Sequence, residues 1–423
     1  MFLRSAVLVI LLIATGSGAA NCQDWPQWRG PARNGHSPDT NLEIDWTETE
    51  PELAWIVSGA GNGYASVSIA NGKIYTTGNR DDGQYVIAMN QNDGDLVWEK
   101  NLTDRAPKHG YTGSRCTPTI DGDRLYVVTS DGAISCLDAK SGDVKWSHSF
   151  RKWGGRMMSG WGFSESPLVD GDRVLCTPGG NKAMVVALNK TTGEEVWKSA
   201  APPSEAEGKD GAGYSSIVIS NGAGVKQYVT LVGRGLIGIR AKDGKLLWTY
   251  NQVANETANI PTAICHGDLV LASSGYKGGG TGLVKLSRDG DGVKAEEQYW
   301  LDRKELQNHH GGMVRVGGYV YLGHGHNKGF PACLEMATGN IAWGGARNRG
   351  VGSGSAAVSL AGNSLIFRYE SGELVVVEAT PEGYEVRGVI KPEYQKGKSW
   401  AHPVICGGRM YLREQDKLMC YEL

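Results

Sequence analysis

The chain has 423 residues, with 43 Lys and Arg against 45 Asp and Glu, so its formal charge is −2. This near-balance argues against a nucleic-acid-binding protein, which normally carries a basic surface, and a hydrophobic content of 40% excludes a disordered chain. The 61 glycines, 13 tryptophans and only 5 phenylalanines favour a β protein rich in turns over a helical bundle.

The first residues have the features of a secretory signal. Arg4 precedes an apolar run at 6–14, and small residues follow at 16–20. This pattern predicts a signal peptide over 1–20, cleaved after Ala20. Cys22 leaves a lipid anchor open as an alternative, although Asn21 is not the small residue that usually precedes an acylated cysteine. Because no later stretch is long and apolar enough to span a bilayer, we expect an exported protein of the periplasm or cell envelope, with no transmembrane segment after signal removal.

A leader segment, residues 21–52, precedes a region of internal repeats. Tight turns between β-rich runs recur eight times, at intervals of about 45 to 50 residues. The turns are Asn71-Gly72, Asp121-Gly122, Asp170-Gly171, Asn221-Gly222, His266-Gly267, Gly317-Gly318, Ala361-Gly362 and Gly407-Gly408. In five repeats a second glycine is followed four residues later by tryptophan, at Trp98, Trp146, Trp197, Trp248 and Trp343.

Each repeat predicts a four-stranded antiparallel sheet. In the second repeat the strands are expected over 117–121, 124–130, 133–139 and 144–149. One such sheet cannot bury both faces, so eight copies must stack, and radial stacking gives an all-β, eight-bladed β-propeller over 53–423. The eighth repeat lacks its last strand, and residues 53–57 before the first repeat predict the strand that completes it.

The repeat resembles a known family. The segment from Leu137 to Trp146 (LDAKSGDVKW) and the leader run from Asp24 to Pro31 (DWPQWRGP) are similar to exported bacterial proteins with the pyrroloquinoline-quinone-like (PQQ-like) propeller repeat. That repeat occurs in quinoprotein dehydrogenases and in scaffolds resembling BamB, the periplasmic subunit of the outer-membrane β-barrel assembly machinery. For a dehydrogenase the resemblance implies PQQ with calcium, a carboxylate base and an adjacent cysteine pair. This sequence has neither Cys-Cys nor a haem-attachment motif.

The candidate site is the rim at one mouth of the propeller channel. Segments that enter the innermost strand of each blade share this rim with the loops between the second and third strands. The candidate residues there are Arg115, Glu165, Asn259, His309, His310, His324, His326 and His402. They predict either a polar pocket for a small anion, a sugar, a metal or a partner's loop, or a merely solvated channel mouth.

Two other segments have a distinctive composition. The aromatic and basic stretch 150–161 fits an adaptable interface or a structural flap over the rim, and the glycine-rich run 275–282 fits a loop of a blade. Together these features predict a monomeric, non-enzymatic binder of an envelope protein or small polar ligand, with no catalytic residue, resident cofactor or metal. The alternative is a PQQ- or metal-dependent oxidoreductase acting on alcohols or sugars at the same rim.

Overall fold

The computed structural model describes residues 24–203, 207–345 and 350–423, and they form eight four-stranded antiparallel sheets. The predicted eight-bladed propeller is therefore confirmed. Phe150–Trp153 and Gly222–Gly224 are two short 3-10 turns, and the described residues contain no helix long and apolar enough to cross a membrane. The expected signal peptide and Cys22 lie outside the described residues.

The strands of each blade are named A to D from the channel outward. Blades 1 and 2 contain β2 (Ser68–Ala70), β3 (Lys73–Arg80), β4 (Gly83–Asn90), β5 (Leu96–Asn101), β6 (Thr119–Asp121), β7 (Arg124–Thr129), β8 (Ala133–Asp138) and β9 (Val144–Ser149). Blades 3 and 4 contain β10 (Leu168–Asp170), β11 (Arg173–Cys176), β12 (Val185–Asn189), β13 (Glu195–Ser199), β14 (Val218–Ser220), β15 (Gln227–Val232), β16 (Gly235–Arg240) and β17 (Leu246–Tyr250). Blades 5 and 6 contain β18 (Ile264–His266), β19 (Leu269–Ser274), β20 (Gly280–Asp289), β21 (Gly292–Asp302), β22 (Asn308–Val316), β23 (Tyr319–His324), β24 (Phe330–Glu335) and β25 (Ile341–Gly344). Blades 7 and 8 contain β26 (Ala356–Ala361), β27 (Ser364–Tyr369), β28 (Leu374–Glu378), β29 (Val386–Ile390), β30 (Val404–Cys406), β31 (Arg409–Glu414), β32 (Lys417–Glu422) and, as the outer strand of blade 8, β1 (Glu52–Ser58).

The last blade is closed by the N-terminal strand, as the missing eighth D strand predicted. β1 pairs antiparallel with β32, with Leu53 opposite Tyr421 and Val57 opposite Leu418. A bulge between Leu53 and Trp55 interrupts this ladder. The closure joins both ends of the chain in one sheet, so blade 8 has the same number of strands as the other blades.

The recurring Gly and Trp are in phase because they contact each other across neighbouring blades. Gly142 of blade 2 lies under Trp98 of blade 1, where an added Cβ would be 2.6 Å from the indole. The indole of Trp98 also donates to the backbone oxygen of Ala139, at 3.2 Å. Trp146 and Gly193 repeat the same contact between blades 2 and 3. The second sequence marker is therefore a blade-to-blade contact.

Residues 24–37 of the leader, here called the channel segment, pass through the middle of the ring. Trp25 forms a β-bridge with Ile69 of blade 1, and His36 forms one with Leu360 of blade 7. Ser37 donates from its hydroxyl to the backbone oxygen of Ile405 in blade 8, at 2.8 Å. Residues of this segment line both of the cavities described below.

None of the seven described cysteines forms a disulfide bond within the described residues, and six of them are buried. The seven are Cys116, Cys136, Cys176, Cys265, Cys333, Cys406 and Cys420. Burial raises the pKa of the Cys116 thiol to about 12, so this thiol stays protonated and acts as a small apolar side chain.

Candidate functional site

A cavity of about 380 Å³ opens at one mouth of the channel. Its floor is formed by Trp28 and Arg29 of the channel segment. Its walls come from segments that enter the A strands and from the B–C loops of blades 5 and 6, the two kinds of element from which the rim was predicted. A second cavity, of about 410 Å³, lies on the other side of the channel segment and is lined by Arg33 and His36. The first cavity is thus a pocket closed at its base.

Aromatic rings form much of the pocket lining. They belong to Trp28, Tyr64, Tyr111, Trp161, Tyr214, Tyr276 and Trp400. The ring centroid of Trp400 lies 4.6 Å from that of Tyr64 and 4.9 Å from that of Tyr111. Trp161 and Tyr276 stack at 6.4 Å. Such walls offer flat apolar faces to a ring-shaped ligand.

Four histidines line the same pocket. The ring of His309 lies 4.5 Å from that of His310 and 4.2 Å from that of His326, and His402 packs edge-on against Trp28 at 4.6 Å. His309 and His310 lie in an irregular stretch of β22 between the paired residues Asn308 and Met313, where the register with β23 shifts. A bulge of this kind redirects side chains, and here it brings two adjacent histidines to the pocket.

These histidines are held in their neutral form. Burial is the main cause that lowers the pKa of His309 to about 2 and the pKa values of His310 and His402 to about 3. Neighbouring cationic or imidazole groups lower each pKa further. At neutral pH the imidazoles therefore act as neutral hydrogen-bond donors and acceptors and not as cations.

Positive charge in the pocket comes from Arg29, Arg115 and Lys398. Lys398 is paired with the Glu370 carboxylate, which also accepts from the Trp400 indole at 2.8 Å. Arg115 donates to the backbone oxygens of Tyr111, at 2.7 Å, and Trp161, at 2.8 Å. Burial lowers the pKa values of Arg29 and Arg115 to about 10, which leaves both charged at neutral pH. Among the described residues that line the pocket, none has a carboxylate side chain.

Several buried polar atoms of the pocket residues lack a hydrogen-bond partner within the described chain. They are Arg29 Nη1, His309 Nε2, His310 Nε2, His326 Nδ1 and His402 Nδ1. Arg29 and His402 are 5% and 6% exposed. Buried polar groups are almost always paired, so a cluster of such atoms around one pocket is typical of a ligand site.

The structure brings together five of the eight candidate rim residues. Arg115, His309, His310, His326 and His402 line the pocket.

The other three lie behind the wall, where each has a partner within the protein. Glu165 accepts from the backbone N–H and the hydroxyl of Thr177, at 2.6 and 2.8 Å. Asn259 donates to the backbone oxygen of Val232 at 2.9 Å, and His324 Nδ1 accepts from the backbone N–H of Gln307 at 3.2 Å.

Sequence reasoning missed most of the aromatic wall and the entire floor. Trp28 and Arg29 belong to the leader segment, and the repeats that predict the propeller begin only after this segment. The run 275–282 contributes Tyr276. The stretch 150–161 contributes to both the hydrophobic core and the pocket, because Phe150 and Trp153 are buried and Trp161 lines the pocket. The sequence feature that could have indicated the floor is the leader run from Asp24 to Pro31, in which Trp28 is followed directly by Arg29.

The donor set of the pocket does not fit a calcium ion. Calcium prefers several carboxylate and carbonyl oxygens, whereas the described lining has no carboxylate and offers mainly imidazoles, cationic groups, aromatic rings and a few hydroxyls with one amide. Nowhere in the described ranges do three or more His, Cys, Asp or Glu side chains form a group that could hold a metal. The lining residues therefore do not suit the calcium ion of a quinone cofactor, although the aromatic walls would suit its planar ring.

A family model described as "Outer membrane protein assembly factor BamB" matches residues 46–152 and 82–345. An assembly factor of that name from Kangiella koreensis is 28% identical over 143 residues, covering 33% of this chain and 30% of the relative. Quinohemoprotein alcohol dehydrogenase ADH-IIG of Pseudomonas putida is 26% identical over 151 residues, covering 33% of this chain and 20% of the enzyme. These matches span less than a third of either relative.

Among solved structures, quinohemoprotein alcohol dehydrogenase from Comamonas testosteroni superposes with a TM-score of 0.64 at 15% identity. The superposition covers 96% of this chain and 81% of the enzyme. At this identity the likeness shows a shared propeller fold and nothing about activity.

Proposed function

This chain belongs to the propeller family described as outer membrane protein assembly factor BamB, and from that premise we propose that it is an exported, non-enzymatic binding protein of the periplasm or cell envelope. Its ligand is a small polar molecule held in the channel-mouth pocket. One observation carries the proposal: the channel segment closes the pocket base, and unpartnered buried nitrogens of Arg29 and His402 lie among the residues that line it.

The dimensions of the pocket support a small ligand. Its volume of about 380 Å³ falls at the lower end of the range of about 300 to 1,000 Å³ for small-molecule sites. A protein surface large enough for a stable complex is broader and shallower than a pocket closed at its base. The aromatic walls would bury the apolar surface of the ligand, and the few charged groups would fix its orientation.

The first experiment asks whether the pocket binds at all. The exported chain is titrated with D-glucose, D-glucuronate and 4-hydroxybenzoate while its tryptophan fluorescence is recorded, since Trp28, Trp161 and Trp400 line the pocket. We expect saturable binding of at least one probe, weakened at least tenfold by Trp400→Leu. Trp98→Leu, which changes a tryptophan between blades 1 and 2, is the matched control and should bind as the unaltered chain does. Failure of all three probes to bind overturns the proposal.

A protein partner is the second candidate, supported by the family description and by one exposed ring. Tyr111 is 50% exposed and lines the pocket, so a partner's loop at the mouth would meet it first. A photo-crosslinking residue at position 111 should then capture a discrete envelope protein in cells. The same residue at Val97, exposed on an outer strand of blade 1, is the control. Equal capture at both positions contradicts a partner at the mouth.

The oxidoreductase alternative is tested separately. It is supported by the partial match to a quinohemoprotein alcohol dehydrogenase, and the absence of carboxylates from the pocket lining counts against it. The purified chain is incubated with PQQ and calcium, and reduction of an electron-accepting dye is followed with ethanol or glucose as substrate. Stoichiometric quinone binding with substrate-dependent dye reduction would overturn the non-enzymatic proposal.

A further inference from the structure

Two guanidinium groups of the pocket lack an acidic partner. Neither Arg29 nor Arg115 makes an ion pair with any described carboxylate, and burial is the main cause that lowers the pKa of both. Two other buried arginines lie near a carboxylate, since Arg368 pairs with Glu414 at 2.8 Å and Arg33 lies near Glu165. Buried charges are normally paired, because removal from water without a counter-charge is costly. Here the missing negative charge points to the ligand.

Arg29 Nη1 lies at the base of the pocket beside His402. Arg29 donates from Nη2 to the backbone oxygens of Asn34, at 3.0 Å, and of Met313, which fixes the guanidinium in place. An added Cβ at Gly312 would lie 2.1 Å from Arg29 Nη1 and 3.1 Å from His402 Cε1. The unpartnered nitrogens of Arg29 and His402 therefore belong to one corner of the pocket.

The rest of the pocket matches hydroxyl groups and a ring face. Neutral imidazoles can both donate to and accept from hydroxyls, and Ser164, Ser166, Ser216, Thr262 and Asn327 add further such groups to the lining. The rings of Trp400 and Tyr111 supply an apolar face. A purely aromatic acid would leave most of these hydrogen-bonding groups unused.

We propose, resting on the proposed function above, that the ligand is a carboxylated sugar. Its carboxylate binds Arg29 Nη1 and His402 at the pocket base, its hydroxyls bind the imidazoles and the Ser, Thr and Asn side chains, and its ring lies against Trp400. The charge of the carboxylate offsets that of the buried guanidinium. Binding is reversible and changes no covalent bond.

The test compares D-glucuronate with D-glucose, which differ at one carboxylate, and with 4-hydroxybenzoate, which keeps the carboxylate and loses the hydroxyls. We expect D-glucuronate to bind at least tenfold more tightly than either, because a hydrogen-bonded charge pair is worth more than a neutral contact. Arg29→Gln should weaken D-glucuronate at least tenfold and leave D-glucose within twofold. Arg409→Gln, which alters an arginine of blade 8 that pairs with Glu422 and lies outside this pocket, should leave both affinities within twofold.

The outcomes separate the two proposals. If D-glucose binds as tightly as D-glucuronate, or 4-hydroxybenzoate binds more tightly, the carboxylated-sugar inference is wrong while the small-ligand function stands. If none of the probes binds, both fail. If Arg29→Gln does not fold, His402→Ala is used instead and should weaken D-glucuronate at least threefold. Unchanged D-glucuronate affinity in a folded variant overturns the assignment of the carboxylate to this corner.

Discussion

Arg413 of blade 8 donates from Nη2 to the backbone oxygen of Gly61, at 2.7 Å, across the seam where the ring closes on blade 1. The same guanidinium donates to the backbone oxygen of Ala60 at 3.0 Å, to the Thr76 hydroxyl at 2.8 Å and to the backbone oxygen of Thr77. One buried side chain thus satisfies several carbonyl groups of the next blade.

We expect Arg413→Leu to lower the free energy of unfolding by about 3 kcal/mol or more, because it leaves several buried carbonyls without a donor. Chemical denaturation at neutral pH measures this. Arg409→Leu is the control: Arg409 pairs with Glu422 at 2.7 Å at a partly exposed site, where loss of the pair costs about 1 kcal/mol or less. Similar losses in both variants would contradict a special role of Arg413 at the seam.

Gly312→Ala should weaken ligand binding at the pocket base. Its Cβ would lie 2.1 Å from Arg29 Nη1, so the guanidinium must move. Gly317→Ala is a matched control, because Gly317 also has a positive φ, +56° against +73°, with no atom within 4 Å of the added Cβ. The D-glucuronate titration should show at least a tenfold loss for Gly312→Ala and less than a twofold change for Gly317→Ala.

The protein should lose stability as the pH falls below about 6.5, in part through the pocket histidines. In the fold the pKa values of His310 and His402 are lowered to about 3, mainly by burial, whereas the unfolded chain binds these protons near pH 6.5. The unfolded state then holds more protons, and each histidine contributes a slope of up to about 1.4 kcal/mol per pH unit. Urea denaturation between pH 7.5 and 4.5 should give a shallower slope for His402→Gln. An unchanged slope would contradict a neutral, buried His402.

Glu165 has the opposite effect on stability. Burial raises its pKa to about 7, despite the hydrogen bonds from Thr177 and the charge of Arg33. Its contribution is fully present below about pH 4.5, its unfolded value, and is lost as the pH rises through about 7. Glu165→Gln keeps an acceptor for Thr177 and should be more stable than the unaltered chain at pH 8, by up to about 3 kcal/mol. Equal stability of the two chains at pH 8 would show that Glu165 ionises without cost.

We expect the exported protein to begin at Asn21. Intact-mass measurement of protein recovered from the envelope should give the mass of residues 21–423 if the signal is cleaved after Ala20. Cleavage before Cys22 with the mass of added acyl chains would instead establish a lipid anchor.

The eight blades could be predicted because each repeat carries its own turn, and five of them also carry the tryptophan, so local signals indicate the strand order without distant contacts. The closing strand could be predicted from the strand missing in the eighth repeat. The channel segment could not, since residues 24–37 have no strand periodicity and their partners are far away in the chain, as Ser37 and Ile405 show.

Side-chain direction limited the prediction of the site. Ser164 and Ser166 line the pocket, while Glu165 between them points away to Thr177. Side chains alternate in this way along an extended backbone. Which of them face the pocket depends on how the chain enters β10, and the sequence does not show this. At His309 and His310 the irregular register of β22 removes the alternation, so two consecutive residues both face the pocket.

The channel segment and β1 also constrain the order in which the molecule can assemble. Residues near the start of the described chain contact residues near its end, as Ser37 contacts Ile405, some 370 positions later. The N-terminal part of the nascent chain therefore cannot form these contacts until the last blade has been synthesised. Such distant pairings slow folding and leave edges exposed in the meantime. A chain truncated before β32 would hold seven complete blades and would lack the sheet that closes the ring.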